Sequence, residues 1–172
     1  MTRWIWILAV TMLCSCASYS GRNLKAGEAG LDDVIREMGQ PAMRWQNDDG
    51  SVQLAYPRGP AGYHTFMVSI GSDGKLQSIG NALEANNFAR IQPRMTREQV
   101  LRILGPSEPS WTIYFESRDE LVWDWHCLSA VHEPAHCLVL FDATTGTVRS
   151  TMTQIEFPRP NFPTPPHFGH FR

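Results

Sequence analysis

The stretch Arg97-Glu-Gln-Val-Leu-Arg-Ile-Leu-Gly105 reads against Leu31-Asp-Asp-Val-Ile-Arg-Glu-Met-Gly39 at a constant offset of 66 residues. Each is a short amphipathic helix. Leu31, Val34, Ile35 and Met38 form the apolar stripe of the first, and Val100, Leu101 and Leu104 that of the second, at the spacing that turns one helical face toward a core. Each run stops at a glycine with proline close behind, at Pro41 or Pro106, because glycine ends a helix easily and proline cannot continue one. The second also carries a complete start signal: Thr96 as N-cap, Gln99 three residues on, and Met95 and Val100 placed as a hydrophobic staple.

Working outward, each helix precedes strand-like runs. After the first they are 43–46, 51–56, 63–70 and 75–79, with turns at Asp49-Gly50 and Asp73-Gly74; after the second they are 111–115, 120–127, 137–141 and 147–155. Gly146 answers Gly74 at an offset of 72, so about six residues are inserted between helix and turn, most of them in the segment flanked by Cys127 and Cys137. The fold class is therefore α+β, two tandem units of a helix followed by an antiparallel meander. Residues 27–80 form the first unit and 93–156 the second, joined by a connecting helix within 81–92 that packs Leu83 and Phe88 inward. The tail, 157–172, holds five prolines and few aliphatic residues, and is expected to be disordered because it cannot offset its chain entropy by burial.

The amino terminus is an address. Behind Arg3, residues 4–13 make an apolar core too short for the roughly 20 residues that span a bilayer. It ends in Leu13-Cys14-Ser15-Cys16, which resembles the bacterial lipobox and implies a signal peptide of residues 1–15, lipidation at Cys16 and a linker of residues 16–26. An ordinary secretory signal cut near Ser15 or Ala17 is the plainer alternative. By analogy with other lipoproteins, Ala17 in the second mature position implies an outer-membrane protein facing the periplasm.

Of 172 residues, 42% are hydrophobic and 19% charged, with a formal charge of -2. A mildly acidic chain without a Lys/Arg cluster excludes nucleic acid, whose binding rests on neutralised phosphates, and a polybasic grip on anionic lipid. With Cys14 in the signal and Cys16 lipidated, Cys127 and Cys137 remain in the folded body. In an oxidising compartment an even pair closes as a disulfide, here bracketing an irregular loop, Leu128 to His136.

The run Ile91-Gln-Pro-Arg-Met-Thr-Arg-Glu-Gln-Val-Leu-Arg-Ile-Leu-Gly-Pro106, with Val122-Trp-Asp-Trp125, Phe141-Asp142 and Gly146-Thr-Val148, resembles the small outer-membrane lipoproteins of the BamE (SmpA/OmlA) type. The resemblance covers 91–156 well and 24–80 more weakly. It implies helices covering one face of an antiparallel sheet and a role in outer-membrane assembly or envelope maintenance through protein contacts. Arg94 departs from it by standing where that family has the glycine of Gly-Met-Thr. The doubling also departs from it, and resembles the tandem architecture of β-lactamase inhibitory protein.

No motif for catalysis is present: no Gly-x-Ser-x-Gly, no phosphate-cradling loop and no His-Glu-x-x-His. His126-Cys127, His132 and His136-Cys137 could hold zinc were both thiols reduced; the disulfide reading leaves them as solvated loop histidines, with no metal and no cofactor. His167 and His170 in the tail are weaker ligands still. Strand alternation puts Leu121, Trp123, Trp125 and Cys127 on one face, Trp111, Ile113 and Phe115 on another, and Val52, Leu54 and Tyr56 in the equivalent row of the first unit. Most of these residues are expected to be core. Where a sheet face is uncovered, Tyr56, Trp123 and Trp125 are the candidate anchors of a partner, with Tyr63, Arg44 and Arg58 at the rim. The expected function is a non-enzymatic envelope scaffold or adaptor with an unidentified envelope protein as partner; the alternative is an inhibitor capping a hydrolase with its sheet face.

Overall fold

Both helices form where the repeat places them, and each introduces a four-stranded sheet. The structure is a computed structural model that describes residues 20–59 and 62–156. The signal, Cys16 and the tail 157–172 lie outside the described residues. Helix α1 is Leu31–Met38 and is followed by β1 (Met43–Gln46), β2 (Val52–Pro57), β3 (Thr65–Ile70) and β4 (Leu76–Asn81). After the single turn α2 (Ala85–Phe88) come α3 (Arg97–Leu104) and the strands β5 (Ile113–Phe115), β6 (Glu120–Leu128), β7 (Pro134–Asp142) and β8 (Val148–Ile155). The sheets run β1-β2-β3-β4 and β5-β6-β7-β8, antiparallel throughout. The fold is thus a mixed one with two antiparallel sheets and few helices.

The helix starts differ in strength. At α3 the Thr96 hydroxyl accepts from the Gln99 N–H (3.3 Å) while the Gln99 side chain accepts from the Thr96 N–H (2.8 Å). At α1 the first residue before the helix is Gly30, which has no side chain, so only the return bond exists: Asp33 accepts from the Gly30 N–H at 2.9 Å. Both helices end on a glycine with positive φ, 83° at Gly39 and 74° at Gly105. The turn before α3 puts Arg94 at φ 73°, the left-handed backbone that favours glycine.

The layers follow from the burial of alternate residues. Val34 and Met38 pack on Val52, Leu54, Tyr56, Val68, Ile70 and Leu76 of the first sheet. Leu24, in the segment read as linker, and Ala29 pack there too. Val100 and Leu104 pack on Trp125, Cys127, Cys137, Val139, Phe141 and Val148 of the second sheet; burying such side chains contributes roughly 1.5–3 kcal/mol each. The end of α3 also rests on the back of the first sheet. Gln53 donates to the Arg102 carbonyl (2.8 Å), the Arg102 guanidinium donates to Asn47 (2.7 Å) and lies 5.7 Å from the Trp45 ring centre. The order is therefore α1, first sheet, α3, second sheet. Among the described residues, no α-helix covers the outer face of the second sheet; the short 3₁₀ turn Pro109–Trp111 lies against one end of it.

Four sequence expectations need correction. The cysteines do form a disulfide, with Cα atoms 5.9 Å apart, but they do not bracket a nine-residue loop: β6 and β7 stay paired as far as Leu128 and Pro134. That hairpin also takes up little of the insertion, since the pair Pro57–Thr65 encloses 58–64 and the pair His126–His136 encloses 127–135. Trp111 is not in a strand but in a 3₁₀ turn, Pro109–Trp111, started by Pro109 and by the Glu108 carboxylate accepting from the Ser110 N–H. The helix expected over the connection shortens to Ala85–Phe88 because β4 runs on to Asn81, although Leu83 is buried and Phe88 packs inward as expected.

Candidate functional site

Alternation along β6 turns Trp125 and Cys127 inward, so Val122, Asp124 and His126 face outward. On β7, Cys137 and Val139 point inward, and His136, Leu138 and Leu140 outward. Register then sets His126 directly opposite His136, with ring centres 4.7 Å apart. Each histidine precedes one of the disulfide cysteines, so the covalent bridge lies under the pair, on the other side of the same two strands.

Three further groups complete the cluster. Asp124 accepts from His136 Nδ1 through both carboxylate oxygens, at 3.0 and 2.9 Å. Glu156, just past β8, places one oxygen 3.1 Å from His126 Nε2 and 3.3 Å from His136 Nε2; its backbone N–H donates to the Pro134 carbonyl (2.9 Å) and keeps it beside β7. Trp111 leans on both histidine rings, 4.3 and 5.6 Å away, and Tyr63 of the β2–β3 connection stacks on His126 at 5.3 Å. A cleft of ≈ 240 Å³ runs beside His126 and Trp111, between Pro57 and Thr65 on one side and Pro106 to Pro109 on the other. The histidines are thus not solvated loop residues. His132 is, at the tip of the hairpin.

Beyond the cluster, the open face mixes apolar residues with Glu120, Asp142, Ser150 and Gln154. Ile113 and Phe115 of β5, Val122, Leu138, Leu140 and Met152 of β8 share it by register. Ile113 is 51% exposed, Phe115 38% and Met152 51%, against 7% for Val122.

The residues singled out as partner anchors are divided by this geometry. Tyr56 and Trp125 are core: the Tyr56 hydroxyl donates to the Gly39 carbonyl (3.1 Å) and the Trp125 indole N–H to the Pro106 carbonyl (3.0 Å), so each ties a strand to the end of a helix. Burial pushes the Tyr56 hydroxyl's pKa up. Trp123 is half-buried with its ring edge-on to Phe141 at 4.7 Å, on the covered face. Arg44 is exposed on the edge strand β1, away from the open face, and Arg58 is exposed beyond β2 in the connection that carries Tyr63. Tyr63 joins the histidine cluster. Sequence reasoning missed Asp124, Glu156 and Trp111. The signal was present: two residues of strand separation put Asp124 and His126 on one face, and a long hairpin would have put His136 across from them.

No family model and no curated relative match the chain. Among solved structures, an extracellular protein containing a SCP domain from Bacillus anthracis str. Ames aligns with 12% identity over 78% of this chain and 45% of that one, at a TM-score of 0.27. The chain spans less than half the length of that protein, and a similarity at this level carries neither fold nor function across.

Proposed function

We propose that the protein is a lipid-anchored outer-membrane protein of the BamE type that faces the periplasm and works, without catalysis, as a protein-interaction module in outer-membrane assembly or envelope maintenance. The observation that carries the interaction role is the sheet face without α-helical cover, where Ile113 and Phe115 on one edge strand and Met152 on the other stand 38–51% exposed. Apolar side chains grouped on one open face mark a docking surface more often than scattered ones do. The anchor rests on Leu13-Cys14-Ser15-Cys16. Among the described residues no helix is long and apolar enough to cross a membrane, and acyl chains on one cysteine would supply the membrane affinity.

We also infer that the two halves are tandem copies of one unit. Correspondences beyond the helices support it: the isolated bridges Gly30–Lys75 and Thr96–Thr147, the irregularities at Ser69/Ile70 and Leu140/Phe141, and the paired bonds of Tyr56 and Trp125 to carbonyls after each helix.

A photo-crosslinking residue at Ile113 or Met152 in living cells tests the reading. Adducts to one envelope protein are expected from these sites and not from Gln77 on the first sheet's edge. Equal yields from all three would remove the docking face. Separately, Cys16→Ala is expected to move the protein from the membrane pellet to the soluble periplasm, and full membrane retention would remove the anchor.

A further inference from the structure

We propose that His126, His136 and Glu156 form a binding site for a first-row divalent cation of the Zn²⁺ type, with Asp124 as the group that orients His136. Two imidazoles and one carboxylate are a donor set that such ions take, leaving a position open for water or a ligand. The three donor atoms lie within 4.8 Å of one another. Glu156 Oε1 is 3.1 and 3.3 Å from the two Nε2 atoms, close to the ~3.3 Å edge between ligands held about 2.0–2.1 Å from a tetrahedral centre.

The hydrogen bonding argues for an ion between them. Asp124 accepts from His136 Nδ1, which fixes the ring so that its Nε2 faces Glu156 Oε1. Glu156 Oε1 is also buried without a hydrogen bond of sound geometry among the described residues, an arrangement that is costly for a charged group. A metal ion would satisfy that oxygen and both Nε2 atoms together. The carboxylate–imidazole pair behind it is the usual support for a metal-bound histidine. His126 is oriented differently. Its Nδ1 has no partner among the described residues, and the Trp111 and Tyr63 rings hold it instead.

The surroundings make the cluster a built site. The side chains of His126 and Asp124 are 15% and 14% exposed, those of His136 and Glu156 29% and 35%. The disulfide beneath fixes the two strands that carry the histidines, so little order has to be gained on binding.

The test uses the full chain, purified from membranes in detergent with its disulfide intact and stripped of metal by chelator. Titration with Zn²⁺ at neutral pH is expected to show one equivalent bound and a rise in Tm, and Co²⁺ to give the visible absorption of a tetrahedral nitrogen and oxygen site. Glu156→Gln and His136→Asn are each expected to weaken binding at least tenfold, and Asp124→Asn by 10–100-fold, with unchanged circular dichroism of the metal-free proteins. His167→Ala with His170→Ala is expected to leave binding intact. Absence of stoichiometric binding overturns the proposal, as does binding that survives Glu156→Gln or disappears with the tail histidines.

Discussion

The first sheet has α1 on one face and the end of α3 on the other, whereas the second has α3 on one face and no α-helix on its other among the described residues. The strand patterns are alike, and the difference shows in side-chain size at the point where Gly105 seats. Behind the first sheet stand Gln53, Ala55 and Met67, with Ala55 and Thr65 fully buried where Gly105 approaches. Behind the second stand Val122, Leu138, Leu140 and Met152 with the histidine cluster at one end. Small residues at Ala55 and Thr65 let a helix end come close; the second sheet's outer face carries larger apolar side chains there.

The two helix ends give the largest way to break this comparison. Gly39 and Gly105 share a backbone that is nearly glycine-only, φ 83° and ψ -167° against φ 74° and ψ -171°, so alanine at either costs about 2 kcal/mol in strain. At Gly39 an added Cβ meets nothing within 4 Å, but at Gly105 it would lie 2.6 Å from Thr65 Cγ2 and 3.5 Å from Ala55 Cβ. Overpacking adds about 2 kcal/mol there, so urea denaturation should separate Gly105→Ala from Gly39→Ala by that amount. Equal destabilisation would mean that α3 does not rest on the first sheet.

The disulfide belongs to the second half alone. Replacing Cys127 and Cys137 by serine is expected to lower stability by about 2.5–3 kcal/mol on the loop-entropy account, and to raise hydrogen exchange in β6 and β7 more than in β2 and β3. At the helix starts the expected effects are smaller and opposite in sign. Thr96→Ala removes a cap and costs about 1 kcal/mol, while Gly30→Ser completes one and gains a few tenths. Room exists for the serine, since a Cβ at Gly30 comes no nearer than 3.7 Å to any neighbour.

The last contrast is in acid. The turn after β7 is closed by Asp142, whose N–H donates to the Thr147 carbonyl and whose carbonyl accepts from Gly146; Gly71 makes the same two bonds, with Lys75 and Gly74, after β3. The Asp142 carboxylate accepts first from the Thr145 N–H, then from Arg149 and the Thr145 hydroxyl, which lowers its pKa from 3.8 to about 2. Its stabilising contribution is whole above 3.8 and is lost as pH falls through about 2. Carbon-detected NMR of Asp142 should show that midpoint. A midpoint near 3.8 would dissolve the network.

Helix positions were legible in the sequence because caps, stripes and stops are local and agree with one another. The disulfide was legible from the cysteine count and the compartment that the lipobox-like run implies. The histidine cluster was not, because treating His136 as loop hid its register opposite His126, and Glu156 reaches it only through the pairing of β8. The coverage of the sheets was illegible for a different reason. Nothing local announces that α3 serves two sheets, so Tyr56 and Trp125, read mainly as core, stand also as candidate anchors until their bonds to the Gly39 and Pro106 carbonyls are seen. Arg94 was legible only as a departure from a resemblance, and its φ of 73° gives that departure a physical meaning.

The seating of Gly105 on Ala55 and Thr65 also bears on how the chain is born. Synthesis delivers the amino-terminal sheet before the helix that closes its back. A nascent chain halted short of Gly105 would show an unroofed floor at Ala55, Thr65 and Met67, so the back of the first sheet closes only after the second helix has been made.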